Sequence, residues 1–117
     1  MDIEAIRAYC LSKKGSEEGF PFDDTTLVIK VGGKIFILIN LDGDPSMNLK
    51  CDPGKAIELR EANPAITPGY HMNKKHWNTI VLDGSLSKSQ IIDMIDHSYD
   101  LVLRSLPGKL QLEIEQN

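Results

Sequence analysis

The chain has 117 residues, of which 41% are hydrophobic and 26% are charged, and its formal net charge is −4 at pH 7. These values are typical of one globular domain, residues 1–117, that can bury a core without disulfides or metals. No apolar run approaches the roughly 20 residues of a membrane helix, and the N-terminal residues have the pattern of an acidic helix rather than of a signal peptide. We therefore expect a cytoplasmic protein with no membrane partner.

Charge is distributed unevenly along this acidic chain. Residues 48–78 carry five Lys or Arg against three acids, a local balance of +2, whereas the remainder carries −6. A basic face on an acidic body can bind a polyanion. The overall acidity excludes a protein that is coated with positive charge for nucleic acid.

The N-terminal residues predict a helix. Asp2 can act as its N-cap, and Gly15 can end it in a left-handed conformation. Its apolar positions recur at helical spacing, at Ile3, Ile6 and Cys10. The acidic segment that follows is predicted to be irregular and contains Glu17, Glu18, Asp23 and Asp24.

Two β-branched runs, 26–31 and 34–39, flank Gly32-Gly33 and predict a hairpin with a two-residue loop. A regular register places Ile29 opposite Phe36. It also places three isoleucines of the second strand on the outer face, at Ile35, Ile37 and Ile39. The second strand is then apolar on both faces and should be interior to the sheet. If no helix covers the outer face, this isoleucine patch would suit a protein partner or dimerisation.

The middle of the chain predicts a third strand and a second helix. Residues 46–50 alternate, so that Met47 and Leu49 face the core and Ser46, Asn48 and Lys50 face outward. Asp52 at the N-cap and Pro53 at the first helical position open a helix that runs to about Ala62.

The last third predicts a strand at 79–82 and then the longest helix. Ser87 and Gln90 have the spacing of a capping box at the start of this helix. Pro107-Gly108 ends it, and residues 109–117 are predicted to be a short frayed tail. The order of elements indicates an α+β fold in which helices pack on one face of an antiparallel sheet.

The stretch 70–82 combines polar, cationic and aromatic side chains with a predicted strand. We expect Trp77, which is the only tryptophan, to be a buried core residue at the start of this strand. The neighbouring side chains could contact phosphates or bases. The candidate nucleic-acid-binding residues are Lys50, Tyr70, His71, Asn73, Lys74, Lys75 and His76.

Four segments carry a resemblance to a known family. They are Cys51-Asp52-Pro53, Pro68 to Trp77 with the signature His71-Met72-Asn73-Lys74-Lys75-His76-Trp77, Leu82-Asp83-Gly84, and Asp96-His97-Ser98-Tyr99. In order and spacing they resemble the MmcQ/YjbR-like family over essentially the whole chain. The resemblance implies a CyaY/frataxin-like fold and a proposed double-wing DNA-binding motif. It implies no catalytic residue and no cofactor.

Other functions have weaker signals. His71 and His76 flank two lysines and could do acid–base work, but no nucleophile with a positioned base accompanies them. We expect no enzymatic activity. The acidic segment could offer oxygen ligands to a hard cation, yet adjacent acids are usually solvated, and we expect no metal site. DNA, a protein partner or a second copy of the chain remain the alternatives.

The two cysteines, Cys10 and Cys51, have no metal-binding spacing. Cys10 lies on the apolar side of the first helix, as a core thiol would. Cys51 precedes a helix start, where a lowered thiol pKa is one alternative and a structural role is the other.

Overall fold

The computed structural model describes residues 1–69 and 72–117, and in this part of the chain six strands form one antiparallel sheet beside four helices. The strand order is β1-β2-β3-β4-β6-β5. The elements are α1 Ile3–Leu11, β1 Ser16–Gly19, β2 Thr26–Val31, β3 Lys34–Asn40, β4 Ser46–Lys50, α2 Pro53–Ala62, β5 Ile66–Pro68, β6 Trp77–Val81, α3 Lys88–Ser105 and α4 Gly108–Gln116.

The hairpin between β2 and β3 is confirmed, but its predicted register is wrong beyond the turn. Gly32 and Gly33 both have positive φ (58° and 83°), as a tight two-residue loop requires. The register then shifts by one residue, so that Ile29 lies opposite Ile37 rather than opposite Phe36. An extra residue of this kind is a β-bulge, which reverses the alternation of every side chain after it.

The bulge removes the predicted isoleucine patch. Phe36, Ile37 and Ile39 are all fully buried in the core. Ile35 and Leu38 are the half-buried apolar residues of β3 on the opposite face. β3 is interior to the sheet, between β2 and β4, as its double-sided apolarity predicted.

Side chains of α3 fill the gap that the bulge opens. The Ser98 hydroxyl donates to the Phe36 carbonyl (2.5 Å) and accepts from the Lys50 N–H (2.9 Å). Tyr99 packs edge-on against the ring of Phe36, with 5.3 Å between centroids. The backbone groups left out of the β3–β4 ladder are therefore satisfied from the helix, as buried polar groups must be.

The predicted helix starts are confirmed. Asp2 accepts from the N–H of Ala5 (2.8 Å), and Asp52 accepts from the N–H of Lys55 (3.1 Å) with Pro53 in the first turn. Ser87 and Gln90 form both hydrogen bonds of a capping box. These local signals specify helix ends because they satisfy N–H groups that have no partner within the helix.

Two expectations about the ends of the sheet and chain are wrong, and one strand had no prediction. Ser16–Gly19 is an edge strand paired with β2 rather than an irregular segment, and Ile66–Pro68 is a further strand that was not predicted. The predicted frayed tail forms α4, whose Ile114 is buried against Gly15. Each element is stabilised by contacts distant in sequence, and local patterns carry no signal for such contacts.

The helices cover one face of the sheet, as predicted. Ile6 and Cys10 of α1 and the apolar side of α3 pack against the inward residues of the strands in one core. None of the helices in the described ranges has the length and apolar content that crossing a bilayer requires. The opposite face of the sheet carries no helix among the described residues, and we call it the open face.

Candidate nucleic-acid interface

Side chains on the open face form three rows across the central strands. Strand pairing defines the rows, because residues opposite each other on neighbouring strands point to the same side. Starting from the end nearest the β2–β3 turn, the first row consists of two pairs, Lys30 with Ile35 and Lys50 with Trp77, between which the β3–β4 register ends at Ile37 and Leu49. The second row is Val28, Leu38, Asn48 and Thr79, and the third is Thr26, Asn40, Ser46 and Val81. The first row, which we call the lysine end, carries the cations.

A groove of about 660 Å³ lies on this face. Phe22, in the β1–β2 loop, and Met72, in the β5–β6 loop, both line it. Its floor combines apolar Ile35 and Leu38 with polar groups such as Asn48. Its volume is in the range of small-ligand sites, and its lining mixes apolar side chains with polar ones such as Asn40, Ser46 and Thr79.

The residues 73–76, which we call the basic loop, form an ordered turn before β6. Asn73 accepts a hydrogen bond from the N–H of Lys75 through its side chain (2.9 Å) and from the N–H of His76 through its carbonyl (3.1 Å). Lys74 and Lys75 are exposed, and His76 is half-buried. The backbone of the loop is thus held while its two lysines face solvent.

Arg60 on α2 fixes the basic loop to the sheet. Its guanidinium donates to the Lys74 carbonyl (2.8 Å) and to the side-chain oxygen of Asn78 (2.8 Å), and Asn78 is 2% exposed on β6. Sequence reasoning counted Arg60 only as a charge. A buried asparagine in a predicted strand is the signal that could have pointed to a polar partner.

The structure brings Lys50 to the basic loop. Lys50 lies opposite Trp77 in the β4–β6 pairing, and the N–H of Cys51 donates to the carbonyl of His76 (2.8 Å). Lys50 faces outward, as its alternation predicted. Five predicted site residues therefore lie at one end of the open face, at Lys50, Asn73, Lys74, Lys75 and His76. Two others, Tyr70 and His71, lie outside the described residues.

Trp77 is half-buried, but it lies outside the buried core cluster that it was predicted to fill. Asn78 and Ile80 of the same strand point inward, so alternation places Trp77 on the open face. Gly69 packs against Trp77 so closely that a Cβ atom at position 69 would lie 3.0 Å from the Cβ of Trp77. Trp77 is thus placed beside Lys50 at the lysine end.

The segment Asp96–Tyr99 anchors α3 rather than forming a reactive site. Asp96 accepts from the Tyr9 hydroxyl (2.5 Å) and pairs with Lys13. The Tyr99 hydroxyl donates to the carbonyl of Lys14 (2.5 Å). Together with the Ser98 bridge described above, these bonds connect one turn of α3 to several other parts of the fold.

His97 in the same turn has a structural role. Its Nε2 accepts from the N–H of Asp52 (3.1 Å), so the imidazole caps the start of α2. Burial, and secondarily the charge of Lys55, lowers the pKa of His97 below its usual value. Both observations favour a neutral ring, which the accepting nitrogen requires.

The two thiols show no activation. Burial raises the pKa of Cys10 to about 12, and burial also raises the pKa of Cys51. The lowered thiol pKa considered for Cys51 is therefore wrong: the local desolvation outweighs the nearby positive charges of Lys55 and Arg60.

The acidic segment is divided between different roles. Glu18 pairs with Arg7 of α1 on the helix side of β1, and Asp23 accepts from the backbone N–H groups of Thr25 and Thr26. Within residues 1–69 and 72–117, no three His, Cys, Asp or Glu side chains are grouped as metal ligands. Glu18 and Asp23 thus serve local structure, whereas Glu17 lies opposite Lys30 in the β1–β2 pairing.

Helices on one face of an antiparallel sheet and a grooved open face on the other define an α+β domain with a candidate binding surface. The YjbR family model matches residues 11–101. The chain belongs to the YjbR family.

Similar proteins agree with this assignment. The uncharacterized protein YjbR of Escherichia coli strain K12 is 36% identical over 108 residues, 92% of each chain. The uncharacterized protein YbdF of Escherichia coli O157:H7 is 41% identical over 96 residues, which are 81% of this chain and 79% of YbdF.

Solved structures show the same fold. A crystal structure of a Deinococcus radiodurans protein with the domain DUF419 has a TM-score of 0.91 and 38% identity, covering 97% of this chain and 87% of that one. A crystal structure of a Pseudomonas syringae protein has a TM-score of 0.76 and 26% identity, covering 87% and 99% respectively.

Proposed function

We propose that this protein binds DNA through the lysine end of the open face together with the basic loop. The observation that carries the proposal is the pairing of β4 with β6. This pairing places Lys50 opposite Trp77, directly after the basic loop that contains Lys74 and Lys75. Three cations from two distant parts of the chain thus border one uncovered surface. Lysine is a common phosphate contact, and phosphate contacts position a protein on nucleic acid.

Charge sets the expected strength of this binding. The body of the protein is net acidic, and only the segment 48–78 has a positive balance. Phosphate contacts account for most non-specific affinity, so we expect dissociation constants of roughly 10⁻⁴–10⁻⁶ M at physiological salt. Binding should show little dependence on base sequence, because phosphates are the same along the strand.

The fixed geometry of the loop supports the proposal. Arg60 and the Asn73 turn hold the backbone that carries Lys74 and Lys75. A pre-ordered cationic loop loses less conformational entropy on binding than a flexible one. Arg60 therefore acts as a positioning residue for this surface.

The direct test is fluorescence anisotropy of labelled DNA at several salt concentrations. Replacing Lys74 and Lys75 together by Ala should shallow the log–log salt dependence by about 2, one for each lost phosphate contact. The matched control is Lys88→Ala with Lys109→Ala, two exposed lysines on α3 and α4. It removes the same charge from the helical side and should leave the slope nearly unchanged.

Two outcomes would contradict the proposal. One is an absence of binding by wild type at low salt. The other is an equal loss of slope in both double variants, which would mean that only total charge matters.

Self-association through the open face is the second candidate. Ile35 and Leu38 are half-buried there, and the ring of Phe22 is 66% exposed. Sedimentation of wild type and of Leu38→Asp tests it. A dimer that dissociates in Leu38→Asp would assign the face to a second copy of the chain, and a monomer at all concentrations would exclude that assignment.

A further inference from the structure

The groove and the lysine end are parts of one surface with different chemistry. Ile35 belongs to the row that contains Lys30 and Lys50, and it also lines the groove. The groove extends from this row to Thr26 and Ser46 in the row at the opposite end. A ligand whose phosphates contact the lysines therefore has an adjoining, less polar cavity within reach.

The groove is lined by groups that suit a nucleobase. The Phe22 ring offers an exposed aromatic face, and the thioether of Met72 offers a polarizable surface. Asn48 accepts from the Thr79 hydroxyl (2.6 Å), while its side-chain amide nitrogen donates to none of the described residues. The groove therefore offers an amide donor beside the apolar side chains of Ile35 and Leu38.

Charge gives the groove a direction. Lys30 and Lys50 lie at one end, where Glu17 of β1 lies opposite Lys30, and Asp23, whose carboxylate accepts from Thr25 and Thr26, lies at the other. Two lysines against one carboxylate leave the lysine end net positive. A phosphate is attracted to the lysine end and repelled from the Asp23 end. A nucleotide would thus enter with its phosphate at the lysines and its base towards Phe22.

The dimensions of the floor select the form of the nucleic acid. The floor spans β2, β3, β4 and β6, so it is about 14 Å wide at the usual spacing of strands. Its volume of about 660 Å³ is in the range of sites for single small ligands. One or two unstacked bases fit such a cavity, whereas a duplex keeps its bases stacked and paired away from it.

We propose that the groove receives unstacked bases of a single-stranded nucleic acid whose phosphates lie at the lysine end. This inference rests on the proposed DNA binding and specifies which form of DNA the surface prefers. Aromatic side chains bind successive bases with little sequence preference because every base has a π-face. We therefore expect tighter binding to an unstructured single strand than to a duplex of equal length.

The experiment compares labelled single-stranded oligothymidylate with a duplex by anisotropy, for wild type, Phe22→Ala and Phe20→Ala. Phe20 is the matched control, since it is 50% exposed in the same loop but does not line the groove. Phe22→Ala should weaken single-strand binding by about fivefold or more, as the loss of one base stack does. Its duplex affinity, and both affinities of Phe20→Ala, should stay within about twofold of wild type. Both residues are exposed, so both variants should keep the wild-type circular dichroism spectrum and melting midpoint.

Trp77 provides a second readout without any label. It is the only tryptophan and lies at the lysine end. Oligothymidylate should change its fluorescence at the same concentration that changes the anisotropy, and a bound strand that leaves Trp77 fluorescence unchanged would overturn the proposed location.

The outcomes separate this inference from the proposed function. Equal affinity for single strand and duplex, with no effect of Phe22→Ala and a salt slope that still depends on Lys74 and Lys75, would overturn the groove and leave the DNA surface. A second outcome is that Phe22→Ala loses the preference for single strands while the Lys74 and Lys75 double variant keeps the wild-type salt slope. This outcome would support base binding in the groove and overturn the role of the basic loop in phosphate binding. No binding to either DNA would overturn both.

Discussion

The two faces of the sheet use polar side chains in opposite ways. On the helix-covered face, buried Ser98 bridges two backbone groups of different strands, and buried Asn78 pairs with Arg60. On the open face, the side-chain amide nitrogen of Asn48 donates to none of the described residues, and the lysines of the first row point outward. The difference indicates that the covered face specifies the fold, whereas the open face is available for a ligand.

The largest contrast should be between neighbouring residues of β3. Ile39→Ala removes a fully buried side chain and should lower the free energy of unfolding by about 2–5 kcal/mol. Leu38→Ala removes a half-buried side chain from the open face and should cost less than about 1.5 kcal/mol, because the Leu38 side chain has less buried apolar area to lose. Urea denaturation measures both, and equal costs would break the distinction between the faces.

A smaller contrast concerns hydroxyl groups. Ser98→Ala leaves the Phe36 carbonyl and the Lys50 N–H without their partner, which should cost about 1–3 kcal/mol. Thr79→Val removes a hydroxyl from the open face, where water replaces it, and should cost less than about 1 kcal/mol. Thermal unfolding compares them, and a neutral Ser98→Ala would show that the bulge does not need the bridge.

Arg60→Lys tests whether the basic loop needs its anchor. Lysine keeps the charge, but it cannot hold the Lys74 carbonyl and Asn78 together as the planar guanidinium does. DNA affinity should fall a few-fold while the salt slope stays unchanged, because no phosphate contact is lost. A slope reduced by about 1 would instead make Arg60 itself a phosphate contact.

The smallest expected effect is a pH dependence from His97. Its pKa is lowered in the folded protein, so the unfolded chain binds more protons as the medium acidifies. The contribution to stability is present above the unfolded pKa of about 6.5 and is lost as the pH falls through the lower folded pKa. His97→Gln, which can still accept from Asp52, should flatten this part of the stability curve between pH 7 and 5. An unchanged curve would assign the dependence to other groups.

Local signals predicted much of the fold. The caps at Asp2, Asp52 and Ser87 and the Gly32-Gly33 turn depend on residues close in sequence, and each was predicted correctly. The bulge at Phe36 was not, because the hydroxyl that satisfies its carbonyl comes from a residue 62 positions away. Strand β1 and helix α4 likewise need partners distant in the chain.

The candidate site was predictable to a lesser extent. Alternation placed Lys50 on the open face, and composition selected Lys74 and Lys75. The groove depends on Phe22 and Met72, which lie on different loops and show no common pattern in the sequence. The role of Arg60 also depends on the tertiary structure, since it contacts residues 14 and 18 positions away.

The most direct test of the central claim is to observe backbone amide signals by NMR during titration with a DNA oligonucleotide. We predict shifts confined to the open face, at residues 73–76 and at the lysine-end residues of β2, β3, β4 and β6, with α3 and α4 unaffected. Shifts concentrated on the helices, or none at concentrations near 1 mM DNA, well above the expected dissociation constants of roughly 10⁻⁴–10⁻⁶ M, would contradict the assignment of the open face as the binding surface.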